Sequence, residues 1–235
     1  MSNITRKDNP ATLRALREAD SWIFDLDNTL YPAACRLFSE VGDRIRAYVA
    51  TALGLTHDDA HNLQKQYLLE YGTTLRGMMS VHGTDPSDYL DYVHDINLAP
   101  VQPDPTLNAA LERLPGRKMI FTNADTNHAE RVLNRLGITH HFEAIFDVVA
   151  GGYLPKPAPA VYDAMVRQFN ITPSRSVMVE DMARNLVPAA ALGMTTVWIR
   201  TDLNWHGDVD GDLGNHVHHI TDDLTSWLND VVDAY

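Results

Sequence analysis

Cysteine is nearly absent: Cys35 is the one thiol in 235 residues. A lone cysteine closes no internal disulfide and builds no thiolate zinc site, and its scarcity fits a reducing, cytoplasmic compartment. Basic residues are also few, 19 against 31 acids, which leaves a formal net charge of −12. That sign disfavours a grip on nucleic-acid polymers or on anionic membrane surfaces. No apolar run approaches the roughly 20 residues that span a bilayer, and the polar opening through Asn9 lacks the apolar centre of a signal peptide. Internal repeats and low-complexity tracts are missing too. What remains is a chain with 45% apolar and 21% charged residues, able to bury a real core as one domain or as one domain carrying an insertion.

Short apolar, β-prone runs at Ser21 to Phe24, Lys118 to Phe121, Ala144 to Val149, Ser176 to Val179 and Thr195 to Ile199 read as five buried strands. Stretches with helical spacing lie between them. Ala11 to Ala19 forms a short helix, Ala129, Val132, Leu133 and Leu136 make a stripe stopped by Gly137, and Val161, Met165 and Phe169 make another opened by Pro159. Pro188 places the start of a further helix near Leu186. This alternation predicts an α/β fold, a Rossmann-like parallel sheet with helices on both faces. The alternation breaks after the first strand. Leu37, Val41, Ile45 and Val49 step by four, and Thr56 caps a second helix that carries Leu63, Tyr67 and Leu68. Residues 33–99 therefore read as a helical cap inserted into a core made of residues 1–32 and 100–235, with Pro100, Pro103 and Pro105 marking the return.

Ligands of such sheets sit beyond the carboxyl ends of the strands, and four polar signals fall there. Asp25 and Asp27 follow the first strand, able to converge through a turn, one carboxylate to attack and the other to move a proton. Thr122 and Asn123 follow Phe121 and suit a phosphate oxygen. Lys156 is held between Pro155 and Pro157 as a fixed counter-charge. Glu180 and Asp181 close the Val177 to Val179 strand, and their mutual repulsion invites a hard divalent cation. Each signal alone is also an ordinary turn or helix cap. Together they describe a magnesium and phosphate site.

The stretches Phe24 to Tyr31, Phe121-Thr122-Asn123, Lys156-Pro157 and Val179-Glu180-Asp181 with Asn185 resemble, in order, the four motifs of the haloacid dehalogenase-like hydrolase superfamily. The resemblance implies that Asp25 is the nucleophile that forms an aspartyl-phosphate, and that Asp27 protonates the leaving alcohol and then activates water. It makes Thr122 and Lys156 the holders of the phosphoryl oxygens. It gives Mg²⁺ the Asp25 carboxylate, the Asp27 backbone carbonyl and Asp181, with Glu180 as a ligand or as an acid behind the metal. Asn185 would orient Lys156 or the acids. The presence of Asp27 favours phosphate chemistry over dehalogenation, and the Asn28-Thr29 that follows is similar to phosphatases rather than sugar-phosphate mutases.

Tyr71-Gly72-Thr73-Thr74-Leu75-Arg76-Gly77-Met78, with Tyr31-Pro32 and Val93-His94-Asp95, resembles the pyrimidine 5′-nucleotidase branch, although Met182 stands where that branch often has serine. Tyr71 could then stack on a base, with Thr74 or Arg76 bonding its carbonyl edge or the ribose. The expected partner is a small phosphomonoester, most simply UMP or CMP, bound by a monomer or homodimer. Alternatives are phosphoglycolate or a sugar phosphate, or a silent binding protein on the same fold. His216, His218 and His219 suggest an edge strand before the last helix rather than a metal site, with His140 and His141 equally set aside. Cys35, Trp198 and Trp205 read as packing residues.

Overall fold

The computed structural model describes residues 10–201 and 214–234, so Trp205 lies outside the described residues. Helix α1 (Pro10–Arg17) leads into β1 (Ser21–Phe24), and the chain then enters four consecutive helices: α2 (Leu37–Leu53), α3 (His57–Tyr71), α4 (Thr74–His82) and α5 (Pro86–His94). It returns through α6 (Pro105–Arg113) to β2 (Arg117–Phe121), α7 (Thr126–Leu136), β3 (Ala144–Phe146), α8 (Pro159–Phe169), β4 (Ser176–Glu180), α9 (Ala183–Ala191), β5 (Thr195–Ile199), β6 (His219–Thr221) and α10 (Leu224–Asp233). The sheet is parallel throughout, in the order β3-β2-β1-β4-β5-β6.

Alternation along the strands divides the core into two layers. Trp22, Phe24, Ile120, Val177 and Val179 face one side, where Leu107, Leu111, Val132, Leu136 and Leu228 cover them. Ile23, Met119, Phe121 and Met178 face the other, against Val161, Met165 and Phe169 of α8 and Leu186 of α9. Both faces being buried, each strand reads as a continuous apolar run rather than an alternating one.

The helical insertion has a cluster of its own, centred on Val49, Tyr67, Met78, Tyr89, Leu90 and Val93. Local chemistry sets its joints. The Thr56 hydroxyl accepts from the Asp59 N–H to open α3, and the Thr73 hydroxyl accepts from the Arg76 N–H to open α4. Gly72 between them has φ of 84°, a left-handed value that favours glycine.

The edge strand expected at the histidines before the last helix is present as β6, which makes six strands among the described residues; His219 is buried in it beside β5, and the His218 ring accepts from the Thr196 N–H at 3.0 Å. Two expectations need correction. β3 ends at Phe146 because the following Asp147 turns to receive the Thr126 N–H and hydroxyl. Helix α9 starts at Ala183 rather than near Leu186, so Pro188 lies within it, with no N–H for the Arg184 carbonyl. Cys35 is a partly buried packing residue whose thiol burial pushes up, and Trp198 is buried in β5.

Candidate active site

β1 is flanked by β2 and β4, so the residues that follow these three neighbours meet at one sheet edge. The β1–β4 ladder runs one step past the strand, the Asp25 N–H donating to the Val179 carbonyl at 2.9 Å. Asn28 adopts a left-handed φ of 59°, and the resulting turn folds the chain back on itself. Thr29 donates its hydroxyl to Asp25 Oδ2 at 3.0 Å, and Tyr31 donates to Asp27 Oδ1 at 2.6 Å.

Lys156 is the electrostatic centre. Its ammonium lies 2.7 Å from Asp25 Oδ1, 2.6 Å from Glu180 Oε2 and 2.9 Å from the Phe121 carbonyl, which uses all three of its protons. Burial alone would lower its pKa, but the two carboxylates outweigh that and hold it above the ordinary lysine value. Asn123 fixes the segment by accepting the Lys156 N–H at 2.8 Å and donating to the Lys156 carbonyl at 3.4 Å. Its amide grips the lysine backbone, and the residue also lines the cavity where a substrate contact was expected of it.

Oxygens of Asp25, Glu180 and Asp181 all lie within 4.8 Å of one another. Burial first, then the neighbouring Glu180, raises the pKa of both aspartates. Three crowded carboxylates against one lysine are a donor set of hard oxygens that fits a divalent cation such as Mg²⁺. Glu180 is the most committed of them, since its second oxygen accepts the Met182 N–H at 3.2 Å while the first holds Lys156. The Asp181 carbonyl is anchored by the Trp198 indole N–H at 2.7 Å.

Thr122 is buried, its hydroxyl oxygen accepting from the Ala124 N–H at 3.0 Å, which leaves the hydroxyl proton to donate. Asn185 is buried near by, but no hydrogen bond joins its side chain to Lys156 or the acids; its carbonyl receives the Tyr162 hydroxyl at 2.5 Å. A cavity of about 260 Å³ opens over Asp25, Asp27, Thr122 and Lys156 and is roofed by Val41, Ile45, Leu68, Leu75, Leu90 and Val93 of the insertion. Thr74 lines it, although its hydroxyl donates to the Gln64 carbonyl at 3.4 Å. Tyr71 and Arg76 do not: the Tyr71 ring packs edge-on against Tyr67, with centroids 5.5 Å apart, and neither residue borders the cavity.

The sequence reading missed His128. Its Nε2 lies 3.0 Å from Asp27 Oδ1. Burial is the largest influence on Asp27 and would raise its pKa, but His128 and the Tyr31 hydroxyl together hold the carboxyl below its usual range. The signal was available: His128, Val132 and Leu136 step by four, which puts the histidine on the buried face of α7.

A parallel doubly wound sheet with a helical insertion after its first strand, and a buried Asp-Lys-Glu cluster at the carboxyl edge, define a class of hydrolases. The chain belongs to it: residues 20–193 match the haloacid dehalogenase-like hydrolase family. Phosphate metabolism protein 8 of Saccharomyces cerevisiae is 27% identical over 191 residues, a match that takes in 74% of this chain and 59% of the yeast protein, less than two thirds of its length. A glyceraldehyde 3-phosphate phosphatase of Methanopyrus kandleri is 28% identical over 76% of this chain and 82% of its own. The fold is shared with the 2-haloacid dehalogenase of Pseudomonas syringae pv. Tomato, with a TM-score of 0.54 at 19% identity over 92% of this chain and 99% of that one.

Proposed function

We propose that the protein is a Mg²⁺-dependent phosphomonoesterase that works through an aspartyl-phosphate on Asp25. The observation that carries this reading is the Lys156 ammonium bound between Asp25 Oδ1 and Glu180 Oε2 at the sheet edge. Lysine and the Thr29 hydroxyl take the two oxygens of Asp25 and fix the nucleophile without covering the cavity side of the carboxylate. Asp25 attacks phosphorus, and Asp27, ionised in the free site and protonated from solvent as the negative phosphoryl group enters, delivers that proton to the departing alkoxide oxygen. Asp27 then takes a proton from water, whose oxygen attacks the same phosphorus and returns Asp25 as a carboxylate. Thr122 donates to a phosphoryl oxygen and Lys156 offsets the charge that collects there. Asp25 and Asp181, with the Asp27 carbonyl, would hold the Mg²⁺, which supplies positive charge to the phosphoryl oxygens, while Glu180 serves chiefly to hold Lys156. The insertion acts as a cap that shapes the leaving-group pocket.

The substrate we propose is a pyrimidine nucleoside 5′-monophosphate, UMP or CMP. The roof of the cavity is apolar, as a flat ring requires, and five cavity-lining residues, Asn28, Gln64, Tyr89, Arg184 and Asn185, carry buried side-chain polar atoms without partners. At about 260 Å³ the cavity falls below the roughly 300–1,000 Å³ of most ligand sites. That small size, with the activity named for the Methanopyrus relative, favours a triose or sugar phosphate as the second reading. Inorganic phosphate release from UMP, CMP, AMP, phosphoglycolate, glyceraldehyde 3-phosphate and fructose 1-phosphate, with and without Mg²⁺ and with Asp25→Asn as the blank, separates them. Preference for UMP and CMP upholds the nucleotidase. Preference for the small phosphates keeps the chemistry and moves the substrate, and no release overturns the reading.

A further inference from the structure

His128 has no solvent exposure, and the one hydrogen-bond partner of its ring is Asp27. A carboxylate only accepts, so the Nε2 nitrogen that faces it carries the proton. Nδ1 is left buried and unpartnered, a cost that an apolar side chain of similar size would avoid. The ring does not border the cavity and cannot touch a substrate.

Both donors that reach Asp27, the Tyr31 hydroxyl and His128 Nε2, bind the same oxygen, Oδ1. Two bonds on one oxygen set the plane and tilt of the carboxylate and leave Oδ2 to face the reaction. Beside His128 stands a second imidazole, which itself lines the cavity. The His94 ring stacks on it, with centroids 4.4 Å apart and planes 25° from parallel. His94 is the last residue of α5, in the insertion, and its Nδ1 is 2.6 Å from Asp125 Oδ2 on the core side. Arg131 of α7 donates to the carbonyls of His94 and Ile96 and pins the same joint.

We propose that His128 is a positioning residue that aims Asp27 Oδ2 at the leaving-group oxygen, and that His94 backs the ring so that the aim depends on the seating of the insertion against the core. The proposal rests on the reading of Asp27 as the proton donor, and the test separates the two. The value of kcat/KM reports events up to formation of the aspartyl-phosphate. An alkyl phosphate needs a proton on its leaving oxygen in that step, whereas p-nitrophenyl phosphate expels a stable phenolate and does not.

For His128→Leu, kcat/KM on the best alkyl phosphate should fall about 30-fold or more, within the range of general acid catalysis, while the value on p-nitrophenyl phosphate stays within about threefold. His128→Gln, whose amide nitrogen can stand at the Nε2 position, should recover most of the loss. Equal losses on both substrates, or no recovery with glutamine, overturn the positioning role. Asp27→Asn is the reference. If it discriminates between the substrates and His128→Leu does not, the positioning proposal alone fails; if neither discriminates, the acid role of Asp27 fails with it. Should His128→Leu not fold, His94→Ala and His94→Phe carry the test. A loss of about threefold confined to the alkyl phosphate in the alanine variant, recovered by the phenyl ring that restores the stack without the ring nitrogens, supports the role. A uniform loss, or one that phenylalanine does not recover, as for a polar substrate contact, overturns it.

Discussion

The sheet edge and the helical insertion face the same cavity and fill it by opposite means. On the sheet side the reactive groups are buried, or half-buried in the case of Asp27, and held by directed bonds: Asp25 by Lys156 and Thr29, Asp27 by Tyr31 and His128, Glu180 by Lys156 and the Met182 N–H. On the insertion side the lining is mostly aliphatic, and its shape comes from helix packing. Directed bonds fix atoms to within a few tenths of an ångström and suit chemistry that is the same for every substrate. Packing fixes a volume, which suits selection among leaving groups. Changes to Asp25 or Lys156 should therefore act on all substrates alike, changes at Asp27 and His128 should sort substrates only by how much their leaving oxygen needs a proton, and changes in the insertion should re-rank them by shape.

The largest effect belongs to Asp25→Asn, which removes the nucleophile. Turnover of every phosphomonoester should fall below about one per cent while the far-ultraviolet circular dichroism is retained; residual hydrolysis above that level would break the covalent mechanism. Lys156→Met comes next. It leaves Asp25 and Glu180 facing each other uncompensated, so it should cost about 3–5 kcal/mol of stability in urea unfolding as well as the activity. Gly77→Ala tests the insertion itself. A Cβ at Gly77 would stand 2.3 Å from the Tyr67 ring, and the overpacking should cost about 1–3 kcal/mol, read in the same urea titration.

Leu90→Ala, in the roof, should change the ratio of kcat/KM between two substrates of different leaving-group size by about tenfold and leave p-nitrophenyl phosphate hydrolysis nearly as it was. Arg76→Ala should do least. Because Arg76 does not line the cavity, kcat and KM should stay within about twofold on nucleotides and on aryl phosphates alike. A selective rise in KM for UMP would restore Arg76 as a substrate contact and sharpen the nucleotidase reading.

The sheet side was legible in sequence because strand ends are. A run such as Trp22-Ile23-Phe24 that stops at an aspartate has few other meanings once two more runs stop at Thr122-Asn123 and at Glu180-Asp181, and the motif order supplied Lys156, ten residues past the end of β3. Tyr31 stood inside the first motif without a role, and its bond to Asp27 could be seen only once the Asn28 turn was folded. The insertion was legible as helices, through Thr56 and the spacing of Leu37, Val41, Ile45 and Val49, but not as a surface. Glycines around Thr73 and Thr74 marked the turn correctly. They did not say that Gly72 would abut Pro155, at 3.2 Å from an added Cβ, or that Tyr71 would pack on Tyr67, four residues back on the same face of α3. Pro188 misled because a proline inside a helix costs stability, and packing of Leu186 and Ala189 under the sheet outweighs that cost.

The position of β1 has a consequence for biogenesis. Among the described strands it is the first made and lies at the middle of the sheet, yet neither of its neighbours is near it in the chain: Trp22 pairs with Lys118 on one side and Val177 on the other. At translation rates of about 5–20 residues per second, its exposed edges wait for seconds while the four helices of the insertion can already collapse on one another. During that interval the nascent chain displays an unpaired aromatic strand, so chaperone binding and aggregation in the cell should be governed by how soon Ser176–Glu180 leaves the ribosome.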